Sequence, residues 1–126
     1  MTEAKVVDLN RTGGFRPAMG VLGRAIFGRD AMLVHVTFVA HAEAPPHVHD
    51  EEQFGLVVAG ELRLTLGDTT HRLGPGQGYY VPPGVTHSAI AGAMGCTGVE
   101  VFSPIRADYH DALVSSFRPK ERRRTP

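Results

Sequence analysis

The chain is poor in the features that mark several large protein classes. It has one cysteine, Cys96, so no intramolecular disulfide framework can form, and a lone thiol in a reducing compartment reads as a small buried hydrophobe. Neither sign of charge prevails: 13 Lys and Arg balance 13 Asp and Glu, so no basic field points to nucleic acid as a partner. No apolar run approaches the roughly 20 residues that span a bilayer. The opening MTEAKVVDLN lacks the apolar stretch of a secretory signal. The expected location is the cytoplasm, with no membrane contact.

Helical periodicity is scarce as well. At 126 residues the chain suits one domain, and its 15 glycines and 9 prolines are dispersed between short apolar runs, a many-stranded pattern. Met32–Val39 alternates with Val34, Val36 and Phe38 on one face. Phe54–Ala59 reads as a strand ended by a hairpin-like turn at Gly60-Glu61, and Leu62, Leu64 and Leu66 alternate in the next. Gly67-Asp68 turns the chain into Thr69–Leu73, and Pro75-Gly76 precedes Gly78–Val81. His87–Ala91 and Gly98–Phe102 read as two more strands, and Gly20–Phe27 as an early one. Turn signals every eight to twelve residues imply an all-β sandwich or barrel. Only Asp108–Phe117, with Tyr109, Leu113 and Phe117 at helical spacing, suggests a helix. The domain is expected to span 1–117, and the basic run RPKERRRTP, 118–126, to be a solvated, disordered tail.

The chemistry gathers in PPHVHDEEQ, residues 45–53, and PPGVTH, residues 82–87. His47 and His49 stand two apart, which in extended backbone puts both rings on one face. Gln53, four further on, can bring an amide oxygen to the same side, and the Pro82-Pro83-Gly84 turn can aim His87 at them. Three imidazoles and an amide suit one divalent transition metal, with Zn, Ni, Fe, Mn and Co all compatible. His35, His41, His71 and His110 have no such companions and read as ordinary histidines.

Two spacings carry a resemblance. His47-x-His49-x3-Gln53-x6-Gly60 is similar to the first cupin motif, with Gln in the Glu position. Gly76-x5-Pro82-x-Gly84-x2-His87 is similar to the second, with Ala91 where that motif ends in Asn. The resemblance implies a single antiparallel cupin β-barrel of jelly-roll type with the metal in its mouth, here with a short C-terminal helix, and a homodimer.

HVHDEEQFGLVVAGELRLTLG and VEVFSPIRADY further resemble the small cupins of pectin degradation, which open the ring of 4,5-unsaturated uronates. That likeness implies roles for Glu100, Phe102 and Arg106. Glu100 would move a proton, Phe102 would wall the substrate pocket, and Arg106 would hold a substrate carboxylate by a forked contact. Glu100 is one methylene longer than the family's Asp. Parity sends Tyr79 and Tyr80 to opposite faces, so one at most reaches the pocket, with core packing the expectation for either.

A neutral Gln ligand leaves a divalent ion nearer +2 than a Glu would, which favours Lewis-acid chemistry on an anion over dioxygen chemistry. A non-redox isomerisation or ring opening of a small anionic substrate leads. A polyketide-type cyclase, a dioxygenase and a non-catalytic small-ligand-binding module are the alternatives.

Overall fold

Two bent strands run through the whole molecule and set the position of everything else. The computed structural model describes residues 3–116. In chain order the elements are β1 (Phe15–Ala18), β2 (Val21–Phe27), β3 (Met32–Phe38), β4 (Glu43–His47), β5 (Glu52–Leu66), β6 (Thr69–Leu73), β7 (Gly78–Val81), β8 (His87–Ser103) and α1 (Ala107–Ser116). Every strand pairing is antiparallel, in the order β1-β2-β3-β8-β5-β6, with β4 on β8 and β7 on β5.

The first half of β5 and the second half of β8 lie with β3 and β7. Their other halves lie with β4 and β6. The sheet therefore folds over on itself as an unclosed, barrel-like jelly roll, as expected.

The expected hairpin at Gly60-Glu61 does not form. β5 continues for 15 residues, and the two strands expected at 87–91 and 98–102 are likewise one strand of 17. The reason is a pair of glycines. Gly60 and Gly95 have φ of +81° and +76°, and a Cβ on Gly60 would run into the Gly95 carbonyl. Register shifts flank this point, between Val57 and Ala59 and between Gly60 and Leu62. Buried positions consequently change parity along β5, from Gln53 and Val57 to Leu62 and Leu64. They do the same along β8, from His87, Ala89 and Ala91 to Cys96, Gly98 and Phe102. Each strand thereby keeps one face inward in both sheets, with a kink in place of a turn.

The core holds Phe15, Val21, Met32, Val34, Val36, Phe38, Val57, Leu62, Leu64 and Phe102. Cys96 is buried among them. β1 and β4 were not anticipated, because Arg16-Pro17 and Pro45-Pro46 break any apolar alternation. The helix runs 107–116, one residue early at each end. It docks by placing Tyr109 against Phe15 at 4.7 Å and Phe102 at 5.5 Å, with Leu113 also buried. Phe117 and the basic tail lie outside the described residues. No described helix is long and apolar enough to cross a membrane.

Candidate metal centre

The three histidines arrive from two ends of one register. His47 closes β4 and pairs with His87, which opens β8. His49 lies in the β4–β5 connection, and its carbonyl accepts a hydrogen bond from Gly84 N at 3.0 Å. The Pro82-Pro83-Gly84 turn, with Gly84 at φ +81°, is thus latched to the backbone of one ligand while it delivers another. His47, His49 and His87 form a triad positioned to bind a metal, with one nitrogen from each within 4.8 Å of the others.

Hydrogen-bond direction identifies which nitrogens face inward. His47 Nδ1 lies 2.7 Å from Pro45 O, His49 Nδ1 3.0 Å from Glu51 O, and His87 Nδ1 2.8 Å from Val85 O. A carbonyl can only accept, so each Nδ1 carries the proton and each Nε2 presents a lone pair. Burial lowers the pKa of His47, and that of His87 to about 4, which keeps both rings neutral at neutral pH.

Gln53, 4% exposed at the start of β5, directs Oε1 to 3.1 Å from both His49 Nε2 and His87 Nε2. Its Nε2 donates instead to Glu100 Oε2 at 3.1 Å and to the Tyr79 hydroxyl at 3.4 Å. Lone pairs from three imidazoles and an amide therefore converge with no hydrogen between them. A cation is what such a cluster fits, and the expected ligand set His47, His49, Gln53 and His87 is assembled as a set.

Glu100 projects inward from β8 behind Gln53, where its Oε2 also accepts from the Tyr79 hydroxyl at 3.1 Å. Burial raises its pKa, partly opposed by the Tyr79 hydrogen bond and the Arg106 charge. Tyr79 is the residue that sequence reasoning undervalued. It lines the cavity and also packs against the core, while Tyr80 faces outward, so parity was right and the core-packing expectation holds for Tyr79 but not for Tyr80. The missed signal is Gly55, its register partner, where any Cβ would collide with the Tyr79 ring.

Arg106 has a partner that was not expected, and Phe102 sits differently from what was expected. Arg106 is 8% exposed, and its Nε and Nη2 already donate to the two carboxylate oxygens of Asp108 at 3.1 and 2.7 Å. Its guanidinium also lies 3.8 Å from the centre of the Tyr109 ring. One forked edge of the guanidinium, Nε with Nη2, is thus taken by Asp108. Phe102 is wholly buried, edge-on to His49 at 5.7 Å, and lies outside the cavity lining. It braces a ligand ring and does not wall the cavity.

An inner cavity of about 40 Å³ lies among His47, Gln53, His87, Tyr79, Glu100 and Arg106. It opens beside an outer pocket of about 530 Å³ at the mouth, which shares His47, Arg106 and Tyr109 and adds Arg16 and Asp108. The inner space suits a few water-sized groups, the outer one a ring-sized molecule.

The sequence profile of the Cupin domain matches residues 34–93, which hold both histidine segments. The pectin degradation protein KdgF of Dickeya dadantii (strain 3937) is 31% identical over 81 residues, covering 64% of this chain and 74% of that protein. The chain belongs to the cupin family. The H2HPP isomerase of Bacillus subtilis is 46% identical over 50 residues, but these are 39% of this cupin and only 21% of the isomerase. The solved structure of KdgF from Halomonas sp. superposes with a TM-score of 0.77 at 27% identity, over 84% of this cupin and 98% of that chain.

Proposed function

We propose that this cupin is a metal-dependent enzyme that isomerises or ring-opens a small oxygenated anion, with a 4,5-unsaturated uronate as the leading substrate. The observation that carries the reading is a cluster of four proton-free ligand atoms beside a half-buried carboxylate, at the end of a pocket wide enough for a sugar ring. The names of its relatives, a pectin degradation protein and an isomerase, favour the same class.

His47, His49, Gln53 and His87 would hold a divalent ion, which would supply Lewis acidity at a substrate oxygen. The chain's own groups do the rest. The substrate's ring rests in the outer pocket, because the inner cavity admits only its polar edge. Arg106 and Arg16 attract its negative charge there, and Asp108 fixes the Arg106 guanidinium by one forked edge. Glu100 exchanges a proton with the carbon or oxygen that enters the inner cavity, and its raised pKa suits both halves of such a transfer. Tyr79 holds the carboxylate in place through its hydroxyl.

The homodimer belongs to the same proposal. Phe54, Leu56, Val58 and Tyr80 are 44–51% exposed on the outer sheet face, and this is the surface a second copy would cover.

The test is the loss of enol-ether absorbance when a 4,5-unsaturated uronate is added to metal-loaded protein. Turnover that disappears on chelation and returns with added metal is expected. A fully metallated protein that leaves the absorbance unchanged overturns the uronate reading.

A further inference from the structure

A glutamine ligand has a difficulty that a glutamate lacks: one of its two ends is wrong. The carbonyl oxygen of Gln53 can bind a cation, whereas its NH2 group repels one. Turned round, that NH2 would donate to the lone pairs of His49 Nε2 and His87 Nε2, which now lie 3.1 Å from Oε1. The turned amide would thus fill the site with hydrogens and compete with the ion. Something in the chain has to hold the amide the right way.

We propose that Glu100 and Tyr79 hold the Gln53 amide with its oxygen toward the three imidazoles, and that Glu100 restores to the centre, one hydrogen bond removed, the negative charge a glutamine ligand omits. The inference rests on the metal reading and goes beyond it by giving Glu100 a positioning role that operates without substrate.

The geometry is specific. Glu100 Oε2 receives two donors, Gln53 Nε2 and the Tyr79 hydroxyl, each at 3.1 Å, so this oxygen acts as an acceptor. Tyr79 has given its hydrogen to Glu100, which leaves its oxygen to face Gln53 Nε2 at 3.4 Å. Behind Gln53 there are therefore two acceptors and no donor. Turning the amide would set its oxygen against the Glu100 carboxylate with no hydrogen between them, an arrangement that costs free energy in a buried site.

The backbone enforces the arrangement. Gln53 and Gly55 on β5, Tyr79 on β7 and Glu100 on β8 are tied by the pairings Gly55↔Tyr79 and Gly55↔Glu100, and the bare Gly55 leaves room for the tyrosine ring. The charge consequence follows. The +2 expected from a neutral ligand is offset by a carboxylate that contacts the ligand and not the ion.

Zinc titration into metal-free protein tests this, with unfolding curves to verify the fold of each variant. Glu100→Gln is expected to weaken zinc binding by ~10–100-fold, the range typical of outer-shell partners. The same substitution made together with Gln53→Glu is expected to leave affinity unchanged or raise it, because the new amide can donate to the new carboxylate. That reversal of sign is a coupling which a distant charge or a loosened fold does not produce. Tyr79→Phe, the mildest change, should weaken binding by a smaller factor with Gln53 in place.

Equal weakening by Glu100→Gln in both backgrounds overturns the inference, as does no weakening in either. A parent protein that takes up no zinc or other divalent metal overturns the metal reading itself, and with it this assignment. Absence of turnover on a zinc-binding parent touches only the substrate.

Discussion

The two faces of β5 and β8 each carry exceptions to the usual distribution of residues. Their inner face carries Gln53 and Glu100, and the outer face of the same β5 segment carries Phe54, Leu56 and Val58, each about half exposed. Polar groups inside and apolar groups outside are the informative exceptions in a folded chain. Inside, each exception is satisfied: among the described residues no buried side-chain nitrogen or oxygen lacks a hydrogen-bond partner. Outside, Phe54 packs on Tyr80, ring centres 4.9 Å apart. Paired polarity within is the signature of a site, and unpaired apolarity without is that of a surface with a use for it.

The inner face should be the more sensitive. His87→Ala removes a ligand and leaves the other three lone-pair groups facing one another, so metal affinity is expected to fall by more than the ~10–100-fold typical of outer-shell changes. Metal content measured after gel filtration checks this, and full stoichiometry in the variant would mean the ion binds elsewhere. Phe102→Ala opens a cavity beneath His49 and Tyr109 and is expected to cost about 3–5 kcal/mol in denaturant unfolding. A loss below about 1 kcal/mol would show that the inner wall collapses to fill the gap.

The same face should make the metal-free protein acid-sensitive. His87 falls from an ordinary value of 6.5 to about 4 on folding, and His47 is lowered as well, both chiefly through burial. Between those limits the unfolded chain binds more protons than the folded one. Stability contributed by the neutral rings is therefore fully present above pH 6.5 and is lost as the pH falls towards about 4. Melting temperatures of metal-free protein across that interval measure it, and His87→Ala should flatten the slope. A slope unchanged by the substitution would assign the acid sensitivity to other groups.

The contrast between the faces was only partly legible in the sequence. H-x-H, the +4 glutamine and the distant P-x-G-x-x-H are local patterns with a single chemical reading, and the structure assembles all four residues. Strand parity correctly divided Tyr79 from Tyr80. What could not be read was what each of several other residues meets in the folded chain. Gly60-Glu61 has the composition of a hairpin turn, and only the opposing Gly95 makes it a kink in a continuous strand. Arg106 offers forks suited to a substrate carboxylate, but Asp108, two residues on, takes one of them once the helix begins. Phe102 shares inward parity with Glu100, yet His49 and the Tyr109 side chain from α1 close over it.

The outer face should show the smallest effect on folding and the clearest effect on association. Leu56→Ser removes a half-exposed apolar side chain that neither pairs with the ligands nor belongs to the core, so a monomer should lose no more than about 0.5 kcal/mol. Burial of the row Phe54, Leu56, Val58 and Tyr80 against a second copy would change that. The apolar area then leaves water only in the dimer, and a serine at its centre weakens association while metal affinity stays at the parent value. Sedimentation velocity over a range of concentrations separates the cases. A parent that dimerises and a variant that dissociates assign the interface to this row. A parent already monomeric at high concentration removes the second copy as its occupant, and a variant that dimerises like the parent puts the interface on another face. In neither of those cases is the inner face affected, because Gln53 and Glu100 point away from the row.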